Sequence, residues 1–246
     1  MNKLIVYLAF ALSLFGLGTT TVFALQSTHI NNNLQVNEDF VLGKFDYKTH
    51  KSFTKVNSKF TSKPIYLQIK VYDAFLKMDK AAKKDGINLF IISCTRNFKE
   101  QKAIWERKWR KYDNLEETKR ARHILEYSSM PSTSRHHWGT DLDLNHLTNS
   151  YFETGKGKVV YDWLTKNAST FGFYQVYTDK DNGRTGYNLE KWHWSYLPLA
   201  KDYLEFYNLN INYNDIRGFK GDHLAKNMKM IEEYVNGIAR KAQIFN

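Results

Sequence analysis

The chain has 246 residues, of which 42% are apolar and 15% aromatic, with three prolines, one cysteine and a formal charge of +11. A lone cysteine excludes an intrachain disulfide framework, so stability must come from an ordinary core, and the length suits one domain. Basic residues are interspersed with acidic ones and no nucleic-acid motif is present, so the charge points to an anionic surface and away from nucleic acid.

At the N-terminus, Lys3 precedes an uncharged apolar run from Leu4 to about Gly18, followed by small and polar residues ending in Val22-Phe23-Ala24. The run falls short of the roughly 18 to 20 residues that span a bilayer, and Val22 and Ala24 suit a cleavage site. Residues 1–24 therefore read as a signal peptide, with no stable membrane insertion after its removal and a site of action in the periplasm or cell envelope. Export and a basic surface together favour an anionic cell wall as the working environment. Residues 25–41 are rich in Asn, Gln and Thr without periodicity and are expected to be a flexible lead-in, with one domain over 42–246.

Within that domain, Leu67 to Lys84 carries apolar residues at three- and four-residue steps and stops at Asp85-Gly86, the pattern of a core-facing helix. Ile87 to Ser93 is a short β-branched apolar run, expected to be a buried strand that delivers Cys94, Thr95 and Arg96 to its end. A second helix is expected from about Lys99 to Tyr112. Turn formers cluster at Met130 to Ser134, after which Gly139 to Asn145 alternates Asp141 and Asp143 with Leu142 and Leu144, a strand with one polar face. A helix over Val159 to Thr170, a strand over Phe171 to Tyr177 and a turn at Asp179 to Gly183 lead to Trp192-His193-Trp194. Asp222 to Ala242 reads as a basic amphipathic C-terminal helix. Strands and helices without βαβ alternation give an α+β class, with a small antiparallel sheet flanked by helices.

Two strings carry the chemistry. Ser134-Arg135-His136-His137-Trp138-Gly139-Thr140-Asp141-Leu142-Asp143 places imidazoles and carboxylates in one loop-to-strand unit, and both donor types suit zinc. Glu190-Lys191-Trp192-His193 sets a carboxylate and an imidazole three residues apart, on one face if the segment is a helical turn. Two ligands from the first string and one from the second would leave one coordination position open, as a catalytic site requires. Asp141 and Asp143 share a strand face, so either can be the ligand. Adjacent side chains on an extended segment diverge, so only one of His136 and His137 reaches the ion. Cys94 follows an apolar strand and reads as an inert buried thiol. Trp138, Trp192 and Trp194 read as packing around the site.

The spacing Ser134-x-His136-x-x-Gly139-x-x-x-Asp143, followed by Glu190-x-x-His193-Trp194, resembles the VanY-type D,D-carboxypeptidase family. Upstream, Ser93-Cys94-Thr95-Arg96 and Gln101 resemble that family's Ser-Gly-Tyr-Arg stretch and its following Gln, so the resemblance runs from about Leu67 to Leu197. Asp141, where the family commonly has a small apolar residue, and Cys94-Thr95, in place of Gly-Tyr, depart from the pattern. The resemblance implies one zinc ion in a central cleft on His136, Asp143 and His193, with Glu190 as the base that deprotonates the attacking water. It also implies that Arg96 engages substrate and stabilises carbonyl charge; Ser134 and Gln101 read as substrate-binding groups or as supports behind the site, with a turn-capping serine and an ordinary helix-surface glutamine left open. The implied function is zinc-dependent hydrolysis of the terminal D-alanyl-D-alanine bond of peptidoglycan stem peptides. The alternatives are an L,D-carboxypeptidase or endopeptidase on peptidoglycan and, from another class, a non-catalytic wall-binding protein.

Overall fold

The computed structural model describes residues 36–180 and 183–245, so the expected signal peptide and the lead-in as far as residue 35 lie outside the described residues. The last part of the expected lead-in is already structured. Asn37 caps a short helix α1 (Glu38–Val41) by accepting the Phe40 N–H at 2.9 Å, and Phe40 and Val41 are buried. Their apolar side chains find a partner surface, since Trp138 Nε1 donates to the Val41 carbonyl at 3.1 Å.

Strands β1 (Phe53–Lys55) and β2 (Tyr66–Gln68) pair as an antiparallel ribbon that runs directly into helix α2 (Ile69–Lys84). Val71, Phe75, Met78 and Ala82 recur on the buried face of α2, and the helix stops at Asp85-Gly86, where Gly86 adopts a φ of 73°. Strand β3 (Ile91–Ser93) keeps only the end of the expected Ile87–Ser93 strand. Helix α3 (Phe98–Lys111) begins with a capping box in which Asn97 accepts from the Glu100 N–H and Glu100 accepts from the Asn97 N–H. Its buried side carries Gln101, Trp105 and Trp109 at four-residue steps. Helix α4 (Glu117–Ile124) follows, an element that its charged sequence does not announce.

The main sheet has four antiparallel strands in the order β3-β4-β6-β5, with β4 (Asp141–Leu144), β5 (Phe173–Gln175) and β6 (His193–Tyr196). Asp141 pairs with Ser195, Leu142 with Trp194 and Asp143 with His193, while Ser93 pairs with Asp143 from the other side. Because side chains alternate across a strand, this register gives the sheet two different faces. Leu142, Leu144 and Trp194 are buried on one, where Tyr161 of helix α5 (Gly155–Asn167) packs 6.5 Å from the Trp194 ring. Ser93, Asp141, Asp143, His193 and Ser195 fall on the other. Helix α6 (Leu197–Asn210) leaves β6 with Pro198 in its first turn and sets Tyr203 and Tyr207 against Trp138.

The C-terminal segment corrects the expected continuous helix over Asp222–Ala242. It breaks into a 3-10 turn (Asp222–Leu224), a π-helical stretch (Met230–Val235) and a short helix α7 (Arg240–Gln243). Lys229 sits in the left-handed region at φ 50°, and a Cβ at Gly237 would meet the Glu233 carbonyl at 2.0 Å. The apolar periodicity reported burial of Leu224, Met228, Met230, Val235 and Ile238, which separate short turns satisfy as well as one helix does. Among the described residues no helix is long and apolar enough to cross a membrane.

Candidate metal centre

The polar face of the sheet is closed by the 3-10 turn Arg135–Trp138, which ends at Gly139 in the left-handed conformation, φ 68°. A Cβ there would lie 2.4 Å from the Phe53 ring, so the chain can pass from the turn into β4 only with glycine. Residues 135–138 are thus helical, not extended as expected, yet the two histidines still diverge. His136 turns towards β4 and β6, and His137 turns away.

His136 Nδ1 lies 2.8 Å from the Cys94 carbonyl, which fixes the proton on that nitrogen and leaves Nε2 bare, 3.4 Å from Asp143 Oδ2. His193 is held in the opposite sense. Its Nε2 lies 2.8 Å from Asp141 Oδ2, so Nδ1 is the bare nitrogen, 3.2 Å from Asp143 Oδ1 and 3.4 Å from Glu190 Oε2. The two rings meet edge to face with centroids 4.9 Å apart. One donor atom each from His136, Asp143 and His193 falls within 4.8 Å of the others, and all three residues are buried.

This arrangement fits a divalent metal. Bonds of about 2.0–2.2 Å in a tetrahedron place ligand atoms about 3.3 Å apart, close to the measured contacts around Asp143. Among the described residues Asp143 Oδ1 is buried without a well-formed hydrogen bond, 3.2 Å from His193 Nδ1. Only a shared proton or a cation relieves that contact. Charge gives the same answer: Asp141, Asp143 and Glu190 form a buried anionic cluster, in which Arg135 pairs with Asp141 and Arg96 stands beside Asp143. The two-nitrogen, one-oxygen donor set suits zinc.

The titration behaviour follows from the same neighbours. Burial pushes the Asp143 carboxyl up, but His136 and His193 outweigh it and hold it well below the usual carboxylate range. Burial pulls His193 down, and the surrounding carboxylates of Asp141, Asp143 and Glu190 raise it well above the ordinary imidazole value, so that without a cation its Nδ1 shares a proton with them. Glu190 moves the other way, raised chiefly by its own burial, with His193 pulling it partly back. A carboxylate of raised basicity beside the bare nitrogen of a metal-site histidine is what general-base work requires.

Glu190 and His193 do not lie in a helix. A single turn joins them, with the His193 N–H donating to the Glu190 carbonyl at 3.2 Å, and this suffices to bring both side chains to one place. Asp141, the other candidate ligand, is turned to a supporting role by its partners. Its Oδ2 accepts from Arg135 Nε at 3.0 Å and faces His193 Nε2, while Oδ1 accepts from Thr140 Oγ1 at 2.6 Å and Ser195 Oγ at 2.8 Å. It orients His193 as a carboxylate behind a ligating imidazole does. His137 is satisfied elsewhere, with Nδ1 2.7 Å from the Arg96 carbonyl and Nε2 accepting the Ser132 N–H at 3.1 Å. Cys94 is buried with its thiol pushed up to about 12 by desolvation, which makes it inert.

Arg96 reaches the same cleft. Its Nη1 donates to Ser93 Oγ at 2.6 Å and stands 3.7 Å from Asp143 Oδ2, while its Nε donates to Gln101 Oε1 at 3.0 Å. Gln101 is in turn fixed by donating to the Ser129 carbonyl at 2.7 Å. Gln101 therefore braces the guanidinium, a position the sequence did not separate from substrate contact. Ser134 Oγ is buried at the cleft wall and has no hydrogen-bond partner among the described residues. All seven sequence-derived site residues line this one cleft of about 750 Å³. Sequence reasoning missed Tyr177, whose ring packs 4.6 Å from His193, and the Arg135–Asp141–Ser195 network behind that histidine. Strand register, which places Ser195 opposite Asp141, is the signal that reveals the network.

A family sequence model described as VanY, D-alanyl-D-alanine carboxypeptidase, matches residues 64–199, more than half of the chain. YodJ of Bacillus subtilis, named a carboxypeptidase, is 30% identical over 138 residues, covering 54% of this chain and 46% of that protein. A D-alanyl-D-alanine carboxypeptidase of Enterococcus faecium is 27% identical over 136 residues, covering 55% of this chain and 39% of the relative. The match thus spans less than half the length of either curated relative. Among solved structures, a vancomycin-resistance D,D-pentapeptidase VanY in complex with Zn(II) shares the fold at TM-score 0.50 and 22% identity, over 67% of this chain and 88% of that one.

Proposed function

Since this chain belongs to the VanY family of D-alanyl-D-alanine carboxypeptidases, we propose that it is a zinc-dependent D,D-carboxypeptidase that removes the terminal D-alanine from peptidoglycan stem peptides. One observation carries the reading: His136, Asp143 and His193 converge within 4.8 Å, and the buried carboxylate of Glu190 stands 3.4 Å from the bare nitrogen of His193. A metal site with an unshared base at its edge is built for hydrolysis. A wall-binding protein has no use for that base.

His136 Nε2, His193 Nδ1 and an Asp143 carboxylate oxygen would hold the ion, with Asp141 and the Cys94 carbonyl fixing the two imidazoles. Zinc bound there would supply Lewis-acid chemistry, which polarises a carbonyl and makes water more acidic. Glu190 takes the proton from the attacking water and returns it to the amine of the departing D-alanine, so the proton count balances. Its raised basicity, caused by burial, suits both transfers. Arg96, braced by Ser93 and Gln101, presents a fixed guanidinium to charge that develops on the carbonyl oxygen. Ser134 Oγ, free at the cleft wall, supplies a hydrogen bond to the peptide.

The reading of residues 1–24 as a signal peptide supports action outside the cytoplasm, where a basic enzyme meets an anionic wall. The test is D-alanine release from a synthetic pentapeptide ending in D-alanyl-D-alanine, before and after chelation and zinc return. Release that chelation abolishes and zinc restores supports the proposal. Absence of release in every metal condition overturns it in favour of the wall-binding alternative.

A further inference from the structure

The cleft carries more positive charge than the chemistry uses. Lys63, Arg96, Arg107 and Lys108 line it against the two carboxylates Asp143 and Glu190. Arg96 is committed to the metal site. Lys108 is not, although it is half-buried and aimed inward, with Nζ donating to the neutral Ser128 Oγ at 2.5 Å. Among the described residues neither Lys108 nor Arg107 makes an ion pair, while other helix lysines such as Lys83 and Lys158 do. Burial lowers the Lys108 pKa, with Glu190 opposing the shift, so its charge is held in a partly desolvated place without an adjacent anion. An ammonium has three donors, and Ser128 accepts only one of them.

Position along α3 says what the charge faces. Gln101, which braces Arg96, and Lys108 both line the cleft and lie seven residues apart, two helical turns or about 10 Å. An extended peptide covers about 3.3–3.6 Å per residue, so a substrate that runs along α3 from the Arg96 end would span that distance with about three residues. On the leaving side of the bond a D,D-carboxypeptidase substrate has a single residue. The group that reaches Lys108 therefore lies on the acyl side.

Resting on the carboxypeptidase reading, we propose that Lys108, flanked by Arg107, receives a carboxylate carried by the acyl portion of the substrate two or three residues before the cut bond. The enzyme then selects stem peptides with a free acidic group there over their amidated forms.

The test uses the zinc-loaded full chain and acetylated peptides ending in D-alanyl-D-alanine, with glutamate or glutamine at one of the two preceding positions and alanine at the other. The wild type is expected to favour the better glutamate peptide over its glutamine counterpart by about tenfold in kcat/KM, mainly through KM. Lys108→Gln brings the ratio to within about twofold, and Lys108→Arg restores it, a pattern that a merely structural role of the lysine does not produce. A wild-type ratio near one, or a preference that survives Lys108→Gln, overturns the proposal while leaving the carboxypeptidase reading intact. No D-alanine from any of the peptides overturns the carboxypeptidase reading and this proposal with it.

Discussion

Asp143 and His193 are direct partners across strands β4 and β6, with Asp143 Oδ1 3.2 Å from His193 Nδ1. The sheet register itself therefore assembles two of the three donor atoms, and a slip by one residue would turn both away from the cleft. His136 joins them from the turn that precedes β4. The site is accordingly as rigid as the sheet centre, which favours catalysis by fixed groups.

Glu190→Gln removes the proton acceptor while keeping the side-chain volume. We expect kcat to fall by about 10²–10⁴-fold with one zinc still bound, measured by D-alanine release and metal analysis of the same preparation. In the wild type the acidic limb of kcat/KM reflects loss of activity as Glu190 takes up a proton. Because burial raises its pKa, that limb lies above the ordinary carboxylate range. A glutamine variant that retains more than about a tenth of the rate would remove Glu190 from the chemistry.

Asp141→Asn and Asp143→Asn separate support from ligation. Asp141 pairs with the buried Arg135, which is 1% exposed, so neutralising it strands a charge and should lower the stability of the metal-free protein by about 3 kcal/mol or more. It should also weaken zinc binding by about 10–100-fold through loss of His193 orientation. Asp143→Asn instead abolishes tight zinc binding altogether, and it also costs the metal-free protein stability, since His136 and His193 hold that carboxyl well below the usual range and so stabilise its charged form. Denaturant melts and zinc titrations decide, and identical behaviour of the two variants would contradict the assignment.

His137 gives the fold an acid sensitivity of its own. Burial holds its pKa down at about 3, against 6.5 for the ordinary imidazole, so the folded protein keeps it neutral while the unfolded chain takes up a proton. Between those values the unfolded state binds more protons, and stability falls as pH falls, by up to about 1.4 kcal/mol per unit. Denaturant melts at pH 7, 5.5 and 4.5 should show a shallower decline for His137→Asn than for the wild type. Equal slopes would show that other groups carry the effect.

Much of this was legible in sequence because the signals were local. Val71, Phe75 and Met78 on α2, and Asn97 with Glu100 at the start of α3, encode their helices within a few residues. The string from Ser134 to Asp143, the pair Glu190 and His193 and the stretch from Ser93 to Gln101 supplied the seven candidate residues that the cleft brings together, though not Tyr177. The roles of Asp141 and Gln101 were not legible, because each is decided by a partner remote in sequence. Strand alternation puts Asp141 and Asp143 on one face, and only Arg135 and Ser195 assign the first to support. Gln101 sits on a helix, and only its bonds to Arg96 and the Ser129 carbonyl show that it braces. The tail from Asp222 was misread for a related reason: buried apolar positions recur there, but Lys229 and Gly237 interrupt the backbone between them.

The most direct test of the account is zinc content measured together with turnover in purified wild type and in His136→Ala, Asp143→Ala and His193→Ala. The account requires one tightly held zinc per wild-type chain, its loss in each of the three variants, and D-alanine release in proportion to zinc. Full release from metal-free wild type, or tight stoichiometric zinc in all three variants, would contradict it.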